Sequence, residues 1–349
     1  MMKTRAAIQT ARGEPLIIDE LDLPEPRKDQ ALLQMFSTGI CHSQIHEFND
    51  MRARPTAFGH EAAALVLKVG SEVTRVREGD HAIVTWVRDD PLPFGAEDEY
   101  CGATYKGAPI PWPHHTWSEH AVISERYLVP IDKKDPTDLS SIIGCAVLTG
   151  CGAIIYTTKV RPEQSVAIVG MGGVGLSAVA AAAMSHAYPI IAVDLQPDKL
   201  QLSQEFGATH TVDASKEDPI EAIIELSNGG VDYAFDAVGS RPVTEMILKV
   251  TRAGGYGADN FGGTAVLIGV PGYEMSLDPR DFLCKQGSFI TSFGAAFPDK
   301  DFEMYLRWHR QGKLPLDKLV TDRFRLDQIN EAAEALIAGN IRGRAIIEF

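Results

Sequence analysis

Three side chains able to hold a borderline-soft metal, Cys41, His60 and Cys145, share one chain with the run Gly170–Met171–Gly172–Gly173–Val174–Gly175. Two thiolates and one imidazole form a recognised ligand set for a catalytic zinc, which keeps a fourth position open. Glycines at that spacing, placed between a strand and a helix, let a dinucleotide pyrophosphate approach the backbone. Together the two features imply a metal that polarises an alcohol oxygen and a nicotinamide that takes hydride from the adjacent carbon. The wide separation of the three ligands leaves an ordinary alternative for Cys145, a buried apolar thiol.

The glycine run follows Val166–Ala167–Ile168–Val169, an apolar stretch of strand length. Gly170 suits the tight turn, Gly172 the close phosphate approach, and Gly175 the packing of helix against sheet, with Gly173 and Val174 opening the helix. Asp194 ends the next apolar stretch, where a carboxylate accepts from both adenosine ribose hydroxyls and disfavours a 2'-phosphate. No basic residue follows it directly, which also points to NAD; Lys199 stands either near the ribose or on the surface. An alcohol proton needs a way out, and Ser43 could receive it and pass it through a cofactor ribose to His46. His42 is a candidate donor to pyrophosphate, or makes a local hydrogen bond. Glu61, next to His60, is a neighbouring acid, an occasional ligand, or a salt-bridged side chain.

These residues need two kinds of scaffold. Up to about residue 130 the pattern is strand-rich, with expected strands at 4–8, 31–35, 62–69 and 82–86 divided by Gly, Pro and Asp turns. Residues 87–118 mix proline, glycine, acids and aromatics without a period and are expected to form a surface excursion with some local packing. From about 139 to 272 short strands alternate with helices: strands at 166–170, 190–194, 231–237 and 264–270, helices at 173–185, 198–206, 217–227 and 241–250. Such alternation implies βαβ units and a parallel sheet. Helices at 302–310 and 326–338 and a strand at 345–349 follow, and that strand could return to the N-terminal domain to leave a cofactor cleft between two bodies.

Composition narrows the function classes. A net charge of -14 leaves no excess of Lys and Arg for phosphates, so no nucleic-acid partner is expected. The small-apolar stretch 174–184 is too short to span a bilayer, and residues 1–5 lack the composition of a secretory signal, so neither membrane association nor export is expected. Five cysteines, odd in number and widely spaced, argue against a disulfide scaffold and for a reducing, cytoplasmic location.

With these motifs on the page, the chain resembles the zinc-dependent alcohol dehydrogenases of the medium-chain dehydrogenase/reductase superfamily over nearly its full length. The resemblance implies an α/β fold of two domains: a GroES-like β-rich catalytic domain from 1–147 and 286–349, and a Rossmann NAD-binding domain from 148–285. It implies Cys41, His60 and Cys145 as ligands of one catalytic zinc per subunit, with Glu61 beside them, and Ser43 with His46 as the proton relay. His42 and Arg344 would contact pyrophosphate, Asp194 and Lys199 the adenosine ribose, and Thr149 and Val174 the nicotinamide from its two sides. Ile268 and Val270 lie at the strand end whose backbone approaches the carboxamide. Trp86 would line the alcohol pocket, with Leu283 and Phe289 as distal walls. A homodimer or homotetramer acting on a small alcohol or carbonyl is implied.

Two departures stand out. Many relatives carry four clustered cysteines for a structural zinc, whereas residues 87–118 contain only Cys101. Ala64 replaces a signature glycine, for which a local packing change is expected. Residues 254–263 are expected to add a loop near the cofactor domain. Competing readings are a polyol or amino-alcohol dehydrogenase, a zinc-free NADPH-dependent quinone or enone reductase, and an inactive dinucleotide-binding protein.

Overall fold

Short apolar runs broken by turn residues pair into antiparallel sheets in the first part of the chain, and continuous apolar runs pair into a parallel sheet in the second. The computed structural model describes residues 1–50, 54–90, 92, 100–255 and 260–349. These fall into two units, one formed by Met1–Cys145, Phe297–Arg310 and Leu316–Phe349, the other by Ala146–Ala296 and Gln311–Pro315.

The first unit contains β1 (Met2–Gln9), β2 (Ile17–Leu23), β3 (Gln30–Gly39), β4 (Thr56–Ala57), β5 (Ala62–Val69), β6 (His81–Val84), β7 (Thr104–Tyr105), β8 (Ala108–Pro109), β9 (His120–Ser124) and β10 (Leu128–Ile131). One sheet runs β4-β1-β2-β7-β8, and a second runs β10-β6-β5-β3 with β9 also on β3. Alternation places Ala31, Leu33, Ala62, Ala64, Val66, Ala82 and Val84 in one buried cluster. Ala64 is fully enclosed there.

The second unit stacks β11 (Val166–Val169), β12 (Ile190–Asp194), β13 (His210–Asp213), β14 (Tyr233–Asp236), β15 (Thr264–Leu267) and β16 (Ser288–Thr291) in the order β13-β12-β11-β14-β15-β16. Every pairing is parallel. Strands such as Val-Ala-Ile-Val are buried on both faces, as helix-covered parallel strands require. The order reverses between β11 and β14, and the crevice at the carboxyl ends there is where such sheets bind ligands. The helix Gly173–Met184 after β11 is small and apolar on nearly all sides, so it packs fully buried.

The chain then returns. β17 (Val320–Arg325) and β18 (Arg344–Glu348) rejoin the first unit, β18 lying antiparallel on β3 with Ile346 opposite Gly39. The second sheet of that unit thus reads β10-β6-β5-β3-β18-β17.

Three differences from the sequence reading have physical reasons. The described part of 87–118 packs more deeply than a surface excursion with local packing suggests: Cys101, Ala103 and Ile110 are buried with Ala6, Ile8 and Leu21. Its apolar residues are scattered rather than periodic, so composition hid a core contribution. β13, β16 and β17 escaped notice because their sequences, such as His-Thr-Val-Asp, carry too few apolar positions to show a period. Between 137 and 158 the chain forms a nearly continuous helical stretch interrupted by two π-helical segments, Ile143–Val147 and Ala153–Thr158. Of the expected loop at 254–263, residues 256–259 lie outside the described residues.

Candidate metal centre and dinucleotide turn

Gly39, at the end of β3, has no side chain to spare: a Cβ there would stand 2.4 Å from the carboxylate of Glu61. Its N–H donates to Glu61 O, its carbonyl accepts from the Trp117 indole, and Thr38 Oγ1 donates to Glu61 O at 2.7 Å. Next, Ile40 N donates to Ala345 O of β18. These bonds fix Cys41, which caps the short helix His42–Glu47, against the His60–Glu61 step that opens β5. Cys145 arrives from the π-helical segment, whose neighbour Gly144 accepts from Thr85 Oγ1 at 2.7 Å.

The result is a buried group of four. Ligand atoms of Cys41, His60, Glu61 and Cys145 all lie within 4.8 Å of one another. Cys41 Sγ and Cys145 Sγ are 3.8 Å apart, and His60 Nε2 is 3.3 Å from Cys145 Sγ. Two sulfurs on a tetrahedral zinc at about 2.3 Å would stand about 3.8 Å apart. The donor set therefore fits zinc.

Its electrostatics agree. Contact with the Cys145 thiol lowers the Cys41 thiol well below its usual range against the cost of burial, with help from Arg344 and His60. That same contact, with burial, pushes Cys145 up. Burial opposes charge on His60, but the adjacent Cys41 outweighs it and raises the imidazole. Without a cation the pair of thiols thus carries one negative charge readily and a second only at high cost, and a dication would draw off the second proton.

Arg344 lies in this site. Its guanidinium Nη2 donates to Glu61 Oε1, and both side chains are buried. Burial raises the Glu61 carboxyl, and Arg344 opposes the rise. Burial likewise works against the charge of Arg344, but Glu61 and the two cysteines hold it firmly protonated. The second carboxylate oxygen, Oε2, has no hydrogen-bond partner among the described residues and remains as a potential ligand atom. The resemblance implies a pyrophosphate contact for Arg344; in this structure its guanidinium donates to Glu61 inside the first unit. The pairing joins residues 283 apart, and no local pattern announces it.

Ser43 Oγ donates to Cys41 Sγ at 3.2 Å, and the exposed rings of His42 and His46 share one helix face with centroids 6.1 Å apart. Trp86 follows directly on Thr85, the residue bonded to Gly144.

In the second unit, Gly172 caps the helix Gly173–Met184 with no side-chain cap bond, and a Cβ on Gly172 would meet nothing within 4 Å. A Cβ on Gly175 would instead fall 1.8 Å from Gly170 O, so strand, turn and helix close tightly behind an open front. Open space before free helix N–H groups fits a pyrophosphate. Asp194 Oδ2 accepts from Met171 N at 2.7 Å and Oδ1 from Gln196 N at 3.0 Å, which fixes the carboxylate beside the turn. Lys199 is half-buried in the first turn of the following helix. Gly150 packs on Val174 O, and this brings Thr149 close to Val174. Ile268 is buried at the end of β15 and Val270 is exposed beyond it.

Both residues given as distal pocket walls lie in the second unit. Phe289, on β16, packs into the apolar cluster of the parallel sheet with Ala265 and Leu248. Leu283 is 80% exposed on the short helix Pro279–Leu283. Cys101 is packed in the core, with its thiol pushed up to about 11 by burial, and takes no part in the four-residue group.

A β-rich unit with a buried thiolate–imidazole–carboxylate group, and a doubly wound parallel unit with a dinucleotide turn, define the two-domain medium-chain dehydrogenase class. Residues 27–133 match the alcohol dehydrogenase GroES-like domain model, and residues 173–310 match the zinc-binding dehydrogenase model. The S-(hydroxymethyl)glutathione dehydrogenase of Escherichia coli strain SMS-3-5 is 30% identical over 97% of this chain and 98% of its own length. Among solved structures, an alcohol dehydrogenase zinc-binding domain protein from Burkholderia ambifaria is 29% identical with a TM-score of 0.90, covering 100% of this chain and 99% of the other. Benzyl alcohol dehydrogenase from Acinetobacter calcoaceticus is 27% identical with a TM-score of 0.88, covering 100% of both. The chain belongs to the zinc-dependent alcohol dehydrogenase family of the medium-chain dehydrogenase/reductase superfamily. It is an oxidoreductase of the alcohol dehydrogenase type, with zinc and a nicotinamide as its cofactors.

Proposed function

We propose that this enzyme reversibly oxidises primary or secondary alcohols to aldehydes or ketones with NAD+. The observation that carries the reading is the buried group of Cys41, His60, Glu61 and Cys145. Cys41, His60 and Cys145 would hold one zinc, with Glu61 beside it as the reserve donor tied back by Arg344. When bound, zinc supplies a Lewis acid for the alcohol oxygen and lowers its pKa, and the nicotinamide supplies the hydride acceptor.

Within the chain, Ser43 has its own proton turned to Cys41, so its lone pairs face outward to accept from a substrate hydroxyl. His46, exposed on the same helix, returns that proton to solvent. His42, on the same face, is placed to meet phosphate. Gly170, Gly172, Gly173, Val174 and Gly175 cradle the pyrophosphate, Asp194 with Lys199 binds the adenosine ribose, and Thr149, Val174, Ile268 and Val270 frame the nicotinamide. The carboxylate of Asp194 and the uncharged Leu195 after it favour NAD over NADP. Trp86 supplies an aromatic wall for the alcohol.

The odd, widely spaced set of five cysteines supports a reducing compartment, the cytoplasm; among the described residues no helix is long and apolar enough to cross a membrane. Homo-oligomers are supported by β16, whose outer edge is unpaired among the described strands, and by the exposed Leu283 beside that region of sequence.

Zinc-loaded protein screened for NADH absorbance against short, long, benzylic, cyclic and polyhydroxylated alcohols tests the reading. Turnover of a simple alcohol with NAD+, and much less with NADP+, is expected. Turnover confined to polyols, or only to NADPH-driven enone reduction, would replace it with one of the competing activities.

A further inference from the structure

Asp236, the last residue of β14, stands at the topological switch point with its side chain fully buried. Its Oδ1 accepts from Val238 N and Gly239 N, each at 2.8 Å, and its Oδ2 accepts from Thr244 Oγ1 at 2.5 Å. Its backbone carbonyl accepts from Ile268 N and Gly269 N as the chain leaves β15. One carboxylate thus shapes the turn after β14, and the same residue's carbonyl receives the turn after β15.

The shaped turn reaches the glycine loop. A Cβ on Gly170 would come within 2.5 Å of Val238 Cγ2, so the half-exposed Val238 lies directly on that loop. Gly269 closes on Gly239 just as tightly, with 2.1 Å between a built Cβ and Gly239 N. Three strand ends therefore meet around Val238, and its position follows from the bonds to Asp236.

Those bonds continue outward. Thr244 has one hydroxyl proton, and its shorter contact gives that proton to Asp236 rather than to Ser240 O at 3.2 Å. In the close contact between Thr244 Oγ1 and Tyr273 Oη, tyrosine must then be the donor. Tyr273 belongs to the segment 270–276 that follows Val270, and Ser276 N is tied to the same helix, Arg241–Ile247, through Glu245 Oε1 at 2.8 Å.

We infer that Tyr273 is a positioning residue for the dinucleotide, acting through Thr244 and Asp236 to hold Val238 against the glycine loop. The inference rests on the proposed dinucleotide reading and deepens it. Its chain of donors runs one way, Tyr273 to Thr244 to Asp236 to the turn, so losing any hydroxyl loosens what lies inward of it. Loss of one hydrogen bond in such a partly buried chain changes affinity by about tenfold.

Calorimetric titration of the wild-type protein with NAD+ and NADP+, followed by steady-state kinetics, provides the test. Tyr273→Phe and Thr244→Val are expected to raise the Kd and KM for the nicotinamide by about tenfold. Turnover at saturating cofactor and the KM for alcohol should stay near wild type. Thr244→Ser, which keeps the hydroxyl, should restore tight binding, a rescue that mere loss of packing would not show. Wild-type protein that binds neither dinucleotide would overturn the cofactor reading and this inference with it. A wild type that binds, with Tyr273→Phe and any folded Thr244→Val binding equally well, would overturn this inference alone.

Discussion

At Cys145 the backbone departs from α-helical hydrogen bonding into a π-helical turn, and such turns concentrate at working sites because they re-aim one side chain. Cys145→Ala removes a donor that no neighbour replaces. Bound zinc, measured by mass spectrometry of metal content, should fall to near zero, and turnover should fall by about a hundredfold or more. Retained zinc with ordinary turnover would remove Cys145 from the site. Arg344→Met leaves the fully buried Glu61 without its cation; destabilisation of about 3–5 kcal/mol is expected in denaturant unfolding. An unchanged midpoint would show that the ion pair does not contribute. Cys41, His60 and Cys145 were legible from residue type together with their glycine neighbours. The Arg344–Glu61 partnership was not, since a contact between distant strands leaves no local trace.

At the scale of single elements, the strand–turn–helix unit at 166–184 gives two glycine substitutions opposite outcomes. Gly172→Ala adds a methyl group to open space, so the unfolding midpoint should hold while NAD+ binding weakens by about tenfold or more, read by calorimetry. Gly175→Ala drives a methyl group into Gly170 O and should cost about 1–3 kcal/mol of stability before any ligand is added. Equal effects of both changes on stability would mean that the front of the turn is not the open one. This unit was readable because parallel strands are continuous apolar runs and the helix starts on glycine. The helical stretch from 137 to 158 was not, because its π turns break the 3.6-residue period on which such readings depend.

For the molecule as a whole, a buried imidazole, His115, contributes to the pH dependence of stability. His115 is fully enclosed; its Nδ1 meets Ser118 Oγ at 3.1 Å, while its Nε2 has no partner among the described residues. Ser118 directs its proton to backbone carbonyls, so Nδ1 is the donor and Nε2 carries the lone pair. Burial lowers the His115 pKa from 6.5 to about 4. As pH falls through 6.5 the unfolded chain takes up this proton before the folded one. The stability contributed by neutral His115 is whole above pH 6.5 and is lost progressively down to about 4, by about 3 kcal/mol. Burial lowers His81 and His120 as well, and they act in the same direction. Denaturant midpoints measured across that range should slope downward toward acid, and His115→Gln should flatten the slope by one proton. The same slope in both proteins would assign the effect elsewhere.

The place of β18 in the fold has a consequence for synthesis. A ribosome delivers Cys41, His60 and Cys145 early, then makes the entire parallel-sheet unit, and only afterwards supplies Arg344 and the backbone that clasps Ile40. Domains fold as they emerge, so the parallel sheet is finished while the nascent thiols still await their final clasp. Through that interval the cysteine pair lacks the Arg344–Glu61 and Ile40–Ala345 bonds that enclose it in the finished fold.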